Sequence, residues 1–259
     1  MARVLVTGAA DGLGRMTARL LLEQGHDVTL HARNRQRADD AHAALPAASG
    51  VLIGDLSSIA ETRAVAEQAN DSGPYDAVVH NAAVGYHRPR RVETTDGLEQ
   101  HFAVNVLAPY LLTALIDRPK RLIYVSSGMH RGGRADLGDP QWTERRWSGT
   151  QAYSDSKLLL IALAVQVARL WPETRSNALD PGWVATKMGG AGAPGDLTTG
   201  SVTQAWLAVS EDPAATVSGG YFHHQRQSEP HPAVQDPDFG AGLVDYCAEI
   251  SKVELSASR

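Results

Sequence analysis

Cysteine is nearly missing from this chain: 259 residues carry one, Cys247, so no internal disulfide is available, which fits a reducing compartment. Long apolar runs are missing too, since none approaches the roughly 18 consecutive residues of a membrane-spanning helix. A charged-then-apolar leader is also absent ahead of the strand-like Val4-Leu5-Val6, and the expected location is cytoplasmic, with no membrane partner. Positive charge is not in excess, because 24 Lys and Arg stand against 29 Asp and Glu, a net −5. The strongest basic run, Arg33-Asn34-Arg35-Gln36-Arg37, is short and local, which argues against a nucleic-acid surface. Repeats, low-complexity tracts and domain-separating linkers are lacking. With 43% hydrophobic and 20% charged residues, the chain can bury a large core as one soluble domain, 1–259.

What is present is alternation. Short β-branched runs precede helix-like segments: Arg3 to Thr7 before a helix from about Gly12 to Gln24, Asp27 to His31 before one near Arg35 to Ala44, and Val51 to Ile53 before one from about Ile59 to Asn70. Asp76 to His80 then precedes a helical stretch from about Thr95 to Ile116, and Arg121 to Ser126 precedes a helix containing Tyr153. Strand and helix in turn predict an α/β fold, a doubly wound parallel sheet with helices on both faces.

Two local patterns carry chemistry. The first strand ends in Thr7-Gly8-Ala9-Ala10-Asp11-Gly12-Leu13-Gly14. Gly8 permits a tight strand-to-helix turn, Gly12 lets backbone approach a pyrophosphate, and Gly14 lets the helix pack close on the sheet. The spacing is Gly-x-x-x-Gly-x-Gly, not the commoner Gly-x-Gly-x-x-Gly. Further on, Tyr153-Ser154-Asp155-Ser156-Lys157 puts a phenol and an ammonium on one helix face a turn apart. A neighbouring cation stabilises a phenolate and brings its proton into useful range near neutrality. The apolar run Leu158 to Val165 holds both residues rigidly at the start of a buried helix.

Thr7 to Gly14 together with Tyr153 and Lys157 resembles the short-chain dehydrogenase/reductase family, and further signatures recur in order over about residues 3 to 190. Asn81-Ala82-Ala83-Val84-Gly85 is similar to the family's Asn-Ala-Gly segment, with Ala83 where glycine is usual. Asn105 resembles the helix asparagine that completes a catalytic tetrad, Ser126-Ser127-Gly128 the serine segment, and Pro181-Gly182-Trp183-Val184-Ala185-Thr186 the segment near the nicotinamide. The resemblance implies a Rossmann fold and hydride transfer between NAD(P)(H) and a carbonyl or alcohol. Tyr153 would act as general acid/base, Ser127 would bind the same oxygen, Lys157 would favour the phenolate and hold the ribose, and Asn105 would anchor a water leading to Lys157. It also implies cofactor contacts from Gly8, Asp11, Gly12, Leu13, Gly14, Asp55, Leu56, Asn81, Ala82, Ala83, Pro181, Gly182, Val184 and Thr186, with Tyr153 and Lys157. Asp55 has a second reading, as an N-cap of the following helix.

For the cofactor, His31-Ala32-Arg33 has no carboxylate where NAD users tend to place one, and Arg33 is suited to clamp a 2′-phosphate. NADP(H) is therefore favoured over NAD(H), although Asp11 stands where NADP-preferring relatives often carry a basic residue. Arg35 and Arg37 read as helix surface.

Ser127 and Tyr153 stand far apart in sequence, and the loop of about 128–150 contains two tryptophans. That spacing resembles the retinol-dehydrogenase-like and carbonyl-reductase-like branch. Met129, Trp183 and Met188 are the candidate substrate contacts; Trp142, Trp147 and Tyr86 either line the same apolar pocket or anchor the loop at the surface. His87 and His130 read as polar loop residues, and His223-His224 lacks a third ligand, so no metal is expected. The glycine-rich stretch of about 187–200 is expected to be a lid. From Gln225 to Asp238 an irregular arm is expected, then a helix from about Gly240 to Ser251, within an arm of about 225–259. The expected partner is a small carbonyl or alcohol, and the resemblance implies a homodimer or homotetramer through the Asn105 and Tyr153 helices. A nucleotide-sensing regulator without turnover is the second reading, against which the complete tetrad speaks. A nucleotide-sugar epimerase or dehydratase is disfavoured by the glycine spacing and the short C-terminal region.

Overall fold

Alternation along each strand decides which side chain meets which layer. In β1 (Arg3–Val6), Leu5 enters one core, while Val4 and Val6 enter the other on the opposite sheet face. The computed structural model describes residues 1–190 and 192–256. After β1 come α1 (Gly12–Glu23), β2 (Asp27–Ala32), α2 (Arg35–Ala44), β3 (Gly50–Ile53), α3 (Ile59–Ser72) and β4 (Ala77–His80). Then follow α4 (Gln100–Phe102), a π-helical turn at Ala103–Leu107, α5 (Ala108–Leu115), β5 (Arg121–Val125), α6 (Gly149–Leu170), β6 (Arg175–Asp180) and α7 (Leu197–Val209). The chain finishes with β7 (Tyr221–His223), β8 (Arg226–Gln227) and α8 (Pro237–Ser251).

One eight-stranded sheet runs in the order β3-β2-β1-β4-β5-β6-β7-β8. Its strands are parallel except β8, which pairs antiparallel with β7. Strand order reverses between β1 and β4, and the C-terminal strand ends leave a crevice there, the place where doubly wound sheets hold ligands. Residues of α1, α2 and α7 join one core, and those of α3, α5, α6 and α8 the other.

Three stretches depart from the sequence expectations. The helix expected from Thr95 starts at Gln100, because Gly97 takes φ 77° in a turn and the Glu99 carboxylate accepts the amides of His101 and Phe102 as a cap. The lid expected to reach residue 200 ends earlier: Asp196 caps α7, and Gly200 is a buried helical residue whose missing Cβ lets the helix pack on Val184 and Leu13. The arm holds β8 and a short 3₁₀ turn at Pro232–Gln235. Ala191 of the lid stretch and 257–259 of the arm lie outside the described residues.

The arm also changes the surface of the site helix. Every residue of α6 from Ala152 to Val167 is buried, on its outer side by α8 and the turn before it. Arg169 donates to the Gln235 carbonyl, and Tyr110 on α5 donates to the Val253 carbonyl at 2.7 Å. The pairing of two copies through α5 and α6 implied by the resemblance is blocked while α8 lies there. No helix among the described residues is long and apolar enough to cross a membrane.

Candidate active site

The glycine turn is held from both sides. Thr7 Oγ accepts the amides of Asn81 and Ala82, each at 3.0 Å, and the Asn81 carboxamide donates to the Thr7 carbonyl at 2.9 Å. From the other side the Gly8 amide donates to His31 Nδ1 at 3.1 Å, while His31 Nε2 donates to the Gly54 carbonyl at 2.9 Å. Burial holds the His31 pKa below the usual imidazole range, which keeps the neutral tautomer these bonds require. Gly8 has φ 64°, and a Cβ there would lie 2.8 Å from Ala82 Cα; at Gly14 it would lie 2.5 Å from the Gly8 oxygen. Gly12 has φ 54° and faces open space as far as the Thr186 methyl, 3.8 Å away.

Asp11, the N-cap residue of α1, makes no side-chain cap. Its carboxylate is drawn away to Arg37 and to Lys187, the latter at 2.8 Å. Those two cations outweigh its burial and hold its pKa below the carboxylate norm. The first amides of α1 thus remain open for an anion at a helix N-terminus, so the residues present fit a dinucleotide. Arg37 departs from the surface role expected of it, whereas Arg35 meets only Asp39 at the surface. Arg33 is exposed at the end of β2 and forms no ion pair among the described residues. Asp55 accepts the Ser57 amide, but the cap of α3 is Ser58; Leu56 lies in the core.

The tetrad residues converge at the ends of β4 and β5. Tyr153 is 5% exposed, hydrogen-bonded to the Ser127 hydroxyl, with its own hydroxyl 3.8 Å from Met188 Sδ. Lys157 is buried with Nζ 2.8 Å from the Val125 carbonyl oxygen and 5.6 Å from the Tyr153 ring centre. Asn105 sits in the π turn. Its Oδ1 accepts the Val84 amide at 2.8 Å, and its Nδ2 donates to the Val84 carbonyl and to Ser156 Oγ. Both amide hydrogens are therefore spent on fixing Val84 and α6, not on a path to Lys157. Burial dominates the electrostatics. It pushes the Lys157 pKa down to about 7 and raises that of Tyr153, against the lowering effect of the Ser127 bond. The cation expected to loosen the phenol proton is thus itself weakened, and the phenol stays protonated.

Above these groups lies the stretch after β6. A bridge between Val184 and Gly195 closes its base, Thr186 Oγ accepts the Gly189 amide, and Met188 covers Gly85 so closely that a Cβ there would meet it. Val184 is buried and Pro181 and Gly182 follow β6 directly. Met188 is brought to Tyr153, Met129 is half-buried beside Ser127, and Trp183 is exposed, its Nε1 donating to the Gly189 carbonyl at 2.9 Å. The 128–150 loop is a pinned wall. Asp139 accepts the amides of Thr143, Glu144 and Arg145, and Arg145 bridges to Asp155 on α6. Trp142 is buried under the Arg145 guanidinium, and Trp147 donates to the Arg88 carbonyl. Tyr86 stacks 5.6 Å from Tyr153. Among the described residues no cluster of three His, Cys, Asp or Glu is arranged to hold a metal.

Over residues 2–195 the sequence matches the short chain dehydrogenase family. The chain belongs to that family. It is 42% identical over 257 residues to an uncharacterized oxidoreductase, AN7799, of Emericella nidulans, covering 98% of each chain. It is 32% identical to retinol dehydrogenase 14 of Mus musculus, covering 93% of this chain and 83% of that one. A solved structure of a putative uncharacterized protein from Mycobacterium paratuberculosis is similar with a TM-score of 0.83 at 25% identity, covering 98% and 95%. As a short-chain dehydrogenase of the retinol-dehydrogenase-like branch, it is an NAD(P)-dependent oxidoreductase that transfers hydride between a nicotinamide and a carbonyl or alcohol.

Sequence reasoning passed over several residues of this dehydrogenase's site. His130, expected at the surface, is fully buried and joins the Ser127 carbonyl to the His231 amide. Glu99 and His101 form a buried pair, with His101 Nε2 3.0 Å from the Gly85 carbonyl. Asp180 ends β6 among Gly128, Gly182 and His223. The available signal for Asp180 was a carboxylate closing a strand directly before the quoted Pro181-Gly182.

Proposed function

We propose that the protein is an NADP(H)-dependent reductase of small or medium apolar ketones, and in reverse an alcohol dehydrogenase. Tyr153 protonates the carbonyl oxygen as negative charge develops there, and Ser127 donates a second hydrogen bond to the same oxygen. Lys157 supplies positive charge behind the phenol and holds the ribose hydroxyls. Asn105 fixes Val84 and thereby the wall facing the phenol. The bound nicotinamide supplies the hydride in reduction and accepts it in oxidation. The observation that carries the reading is a protonated phenol, hydrogen-bonded to Ser127 with Lys157 one turn away, buried under Met188.

Cofactor contacts are assigned to Gly8, Asp11, Gly12, Leu13 and Gly14 at the pyrophosphate, and to Asp55 and Leu56 at the adenine. Asn81, Ala82, Ala83, Pro181, Gly182, Val184 and Thr186 are assigned to the nicotinamide side. Preference for NADP(H) rests on the free, exposed Arg33 and on the neutralisation of Asp11 by Arg37 and Lys187. Met129, Trp183 and Met188 are assigned to the substrate. We place the enzyme in the cytoplasm and take one chain as the working unit, because α8 occupies the face implied for self-association; light scattering at micromolar concentration checks the latter. The functional test is a titration of NADPH against NADH, followed by a ketone panel with the preferred cofactor. Tighter NADPH binding and turnover of apolar ketones are expected. Equal binding of both would remove the NADP assignment, and no turnover across the panel would remove the reductase assignment.

A further inference from the structure

Asp180 has no part in the proton chemistry proposed above, yet it borders the reacting groups. Its Oδ1 accepts the Gly182 amide at 2.9 Å, and its other oxygen lies 3.3 Å from His223 Nδ1. A Cβ on Gly128 would stand 3.0 Å from that second oxygen, so the carboxylate flanks the backbone immediately after Ser127. Its charge is felt at Tyr153 and at Lys157. Two carboxylate oxygens offer about four acceptor positions, and these two partners leave the others free.

Beside it opens a cavity of about 280 Å³, bounded by Gly182, Trp183, Pro194, Thr199, His223 and His224. Trp183 is 59% exposed, unusual for so large an apolar side chain. The two imidazoles lie against each other with ring centres 3.9 Å apart. The hollow therefore combines flat π-faces with a carboxylate on its inner side. Asp196 also lines it, although its oxygens already serve the Thr199 amide and hydroxyl. An anionic substrate would meet two carboxylates. A cation would meet aromatic faces and unsatisfied acceptors, both of which attract it.

We propose that Asp180 is a specificity-determining residue that accepts a hydrogen bond from a protonated amine on a ring-bearing ketone, with the ring lying along Trp183 and the His223–His224 pair. This rests on the reductase reading. A partly buried carboxylate beside a hydride-transfer site opposes the negative charge that forms on the carbonyl oxygen, so a carboxylate kept there for structure alone is a burden. A cationic substrate removes that burden when it binds.

The test compares acetophenone with its 3- and 4-aminomethyl derivatives, using the whole chain and NADPH. For the wild type, kcat/KM is expected to favour one of the amines over the parent ketone by about tenfold or more, the worth of a charge-assisted hydrogen bond. In Asp180→Asn that ratio should fall to near one, whatever happens to the absolute rates. His223→Ala removes the imidazole that shares the carboxylate, and should keep or raise the ratio. An unchanged ratio in Asp180→Asn, or a wild type that favours the parent ketone, overturns the proposal. If the wild type reduces none of these ketones, that failure bears on the reductase reading, and binding decides the role of Asp180. Calorimetry with benzylamine and benzyl alcohol in the presence of NADPH should then show a preference for the amine that Asp180→Asn abolishes. Equal binding of both by the wild type overturns it.

Discussion

Lys157 buries its amine 2.8 Å from the carbonyl oxygen of Val125, and burial pushes its pKa from the usual 10.5 to about 7. An unfolded chain holds that proton up to pH 10.5, so between about 7 and 10.5 the unfolded state binds the extra proton and stability rises with pH. Lys157→Met removes this dependence. The variant is expected to be more stable than the parent near pH 7, with a gain in melting temperature of about 2–4 °C per kcal/mol recovered, narrowing toward pH 10. It should have lost turnover. Melting curves at several pH values read this directly, and a variant less stable at neutral pH would contradict the sign.

Tyr153→Phe tests the acid separately from the site's shape. The ring would keep its place among Tyr86, His101 and Lys157 and lose only the hydroxyl. Turnover should fall by about 10²–10⁴, the usual worth of a positioned acid, while the dissociation constant for NADPH changes little. Comparable losses in binding and rate would mean that the phenol shapes the cofactor cleft instead.

Much of this was legible in the sequence because the decisive features are local. The glycine turn, the Tyr153 helix and the first five strands are each specified by a short run of residues, and period-two or helical patterning brings them to one sheet edge. What could not be read depends on partners distant in sequence. Arg37 looks like any helix arginine until Asp11 is found beside it. His130 looks like a loop residue until the His231 amide and the Ser127 carbonyl are found on its two nitrogens. β6 carries Ser176, Asn177 and Asp180, polar residues at odds with a buried parallel strand. They are tolerated because Ser176 donates to the Ala164 carbonyl and Asn177 joins Val217 to Gly220.

Arg33 and Arg37 make different predictions about the cofactor. Arg33 is free, so Arg33→Ala should weaken NADPH binding by roughly 10–100-fold, as expected for a lost charge-assisted contact, and leave NADH binding nearly unchanged. Arg37 is spent on Asp11, and Arg37→Ala would leave that carboxylate less compensated beside the open amides of α1. It should weaken both cofactors. Paired titrations of the two variants decide, and equal effects of Arg33→Ala on NADPH and NADH would remove Arg33 from the 2′-phosphate.

Lys187 reaches from the stretch after β6 to Asp11 in the glycine turn, Nζ to Oδ2 at 2.8 Å, across the crevice where the pyrophosphate is assigned. Lys187→Glu sets two carboxylates against each other. Limited proteolysis should then cut the segment 187–196 faster than in the parent, and NADPH should protect it less. Unchanged cleavage would mean that Met188 on Gly85, not the ion pair, holds this segment down.

His31 ties the ends of three strands together, accepting from Gly8 and donating to Gly54. Replacement by Leu would leave a buried amide and a buried carbonyl without partners, at roughly 1–3 kcal/mol each. The turn that Gly8 begins would loosen, so NADPH affinity should fall together with stability. pH gives a second handle. Because the folded pKa of His31 is depressed below 6.5, the unfolded chain takes up a proton first as the solution is acidified. The contribution of His31 is complete above pH 6.5 and is lost as pH falls toward the folded pKa. His80, buried with a pKa near 3, adds a similar slope, so the comparison must be between parent and His31→Leu. Their difference in stability should be largest above pH 6.5 and shrink on acidification, and a difference independent of pH would mean that the imidazole contributes only its volume.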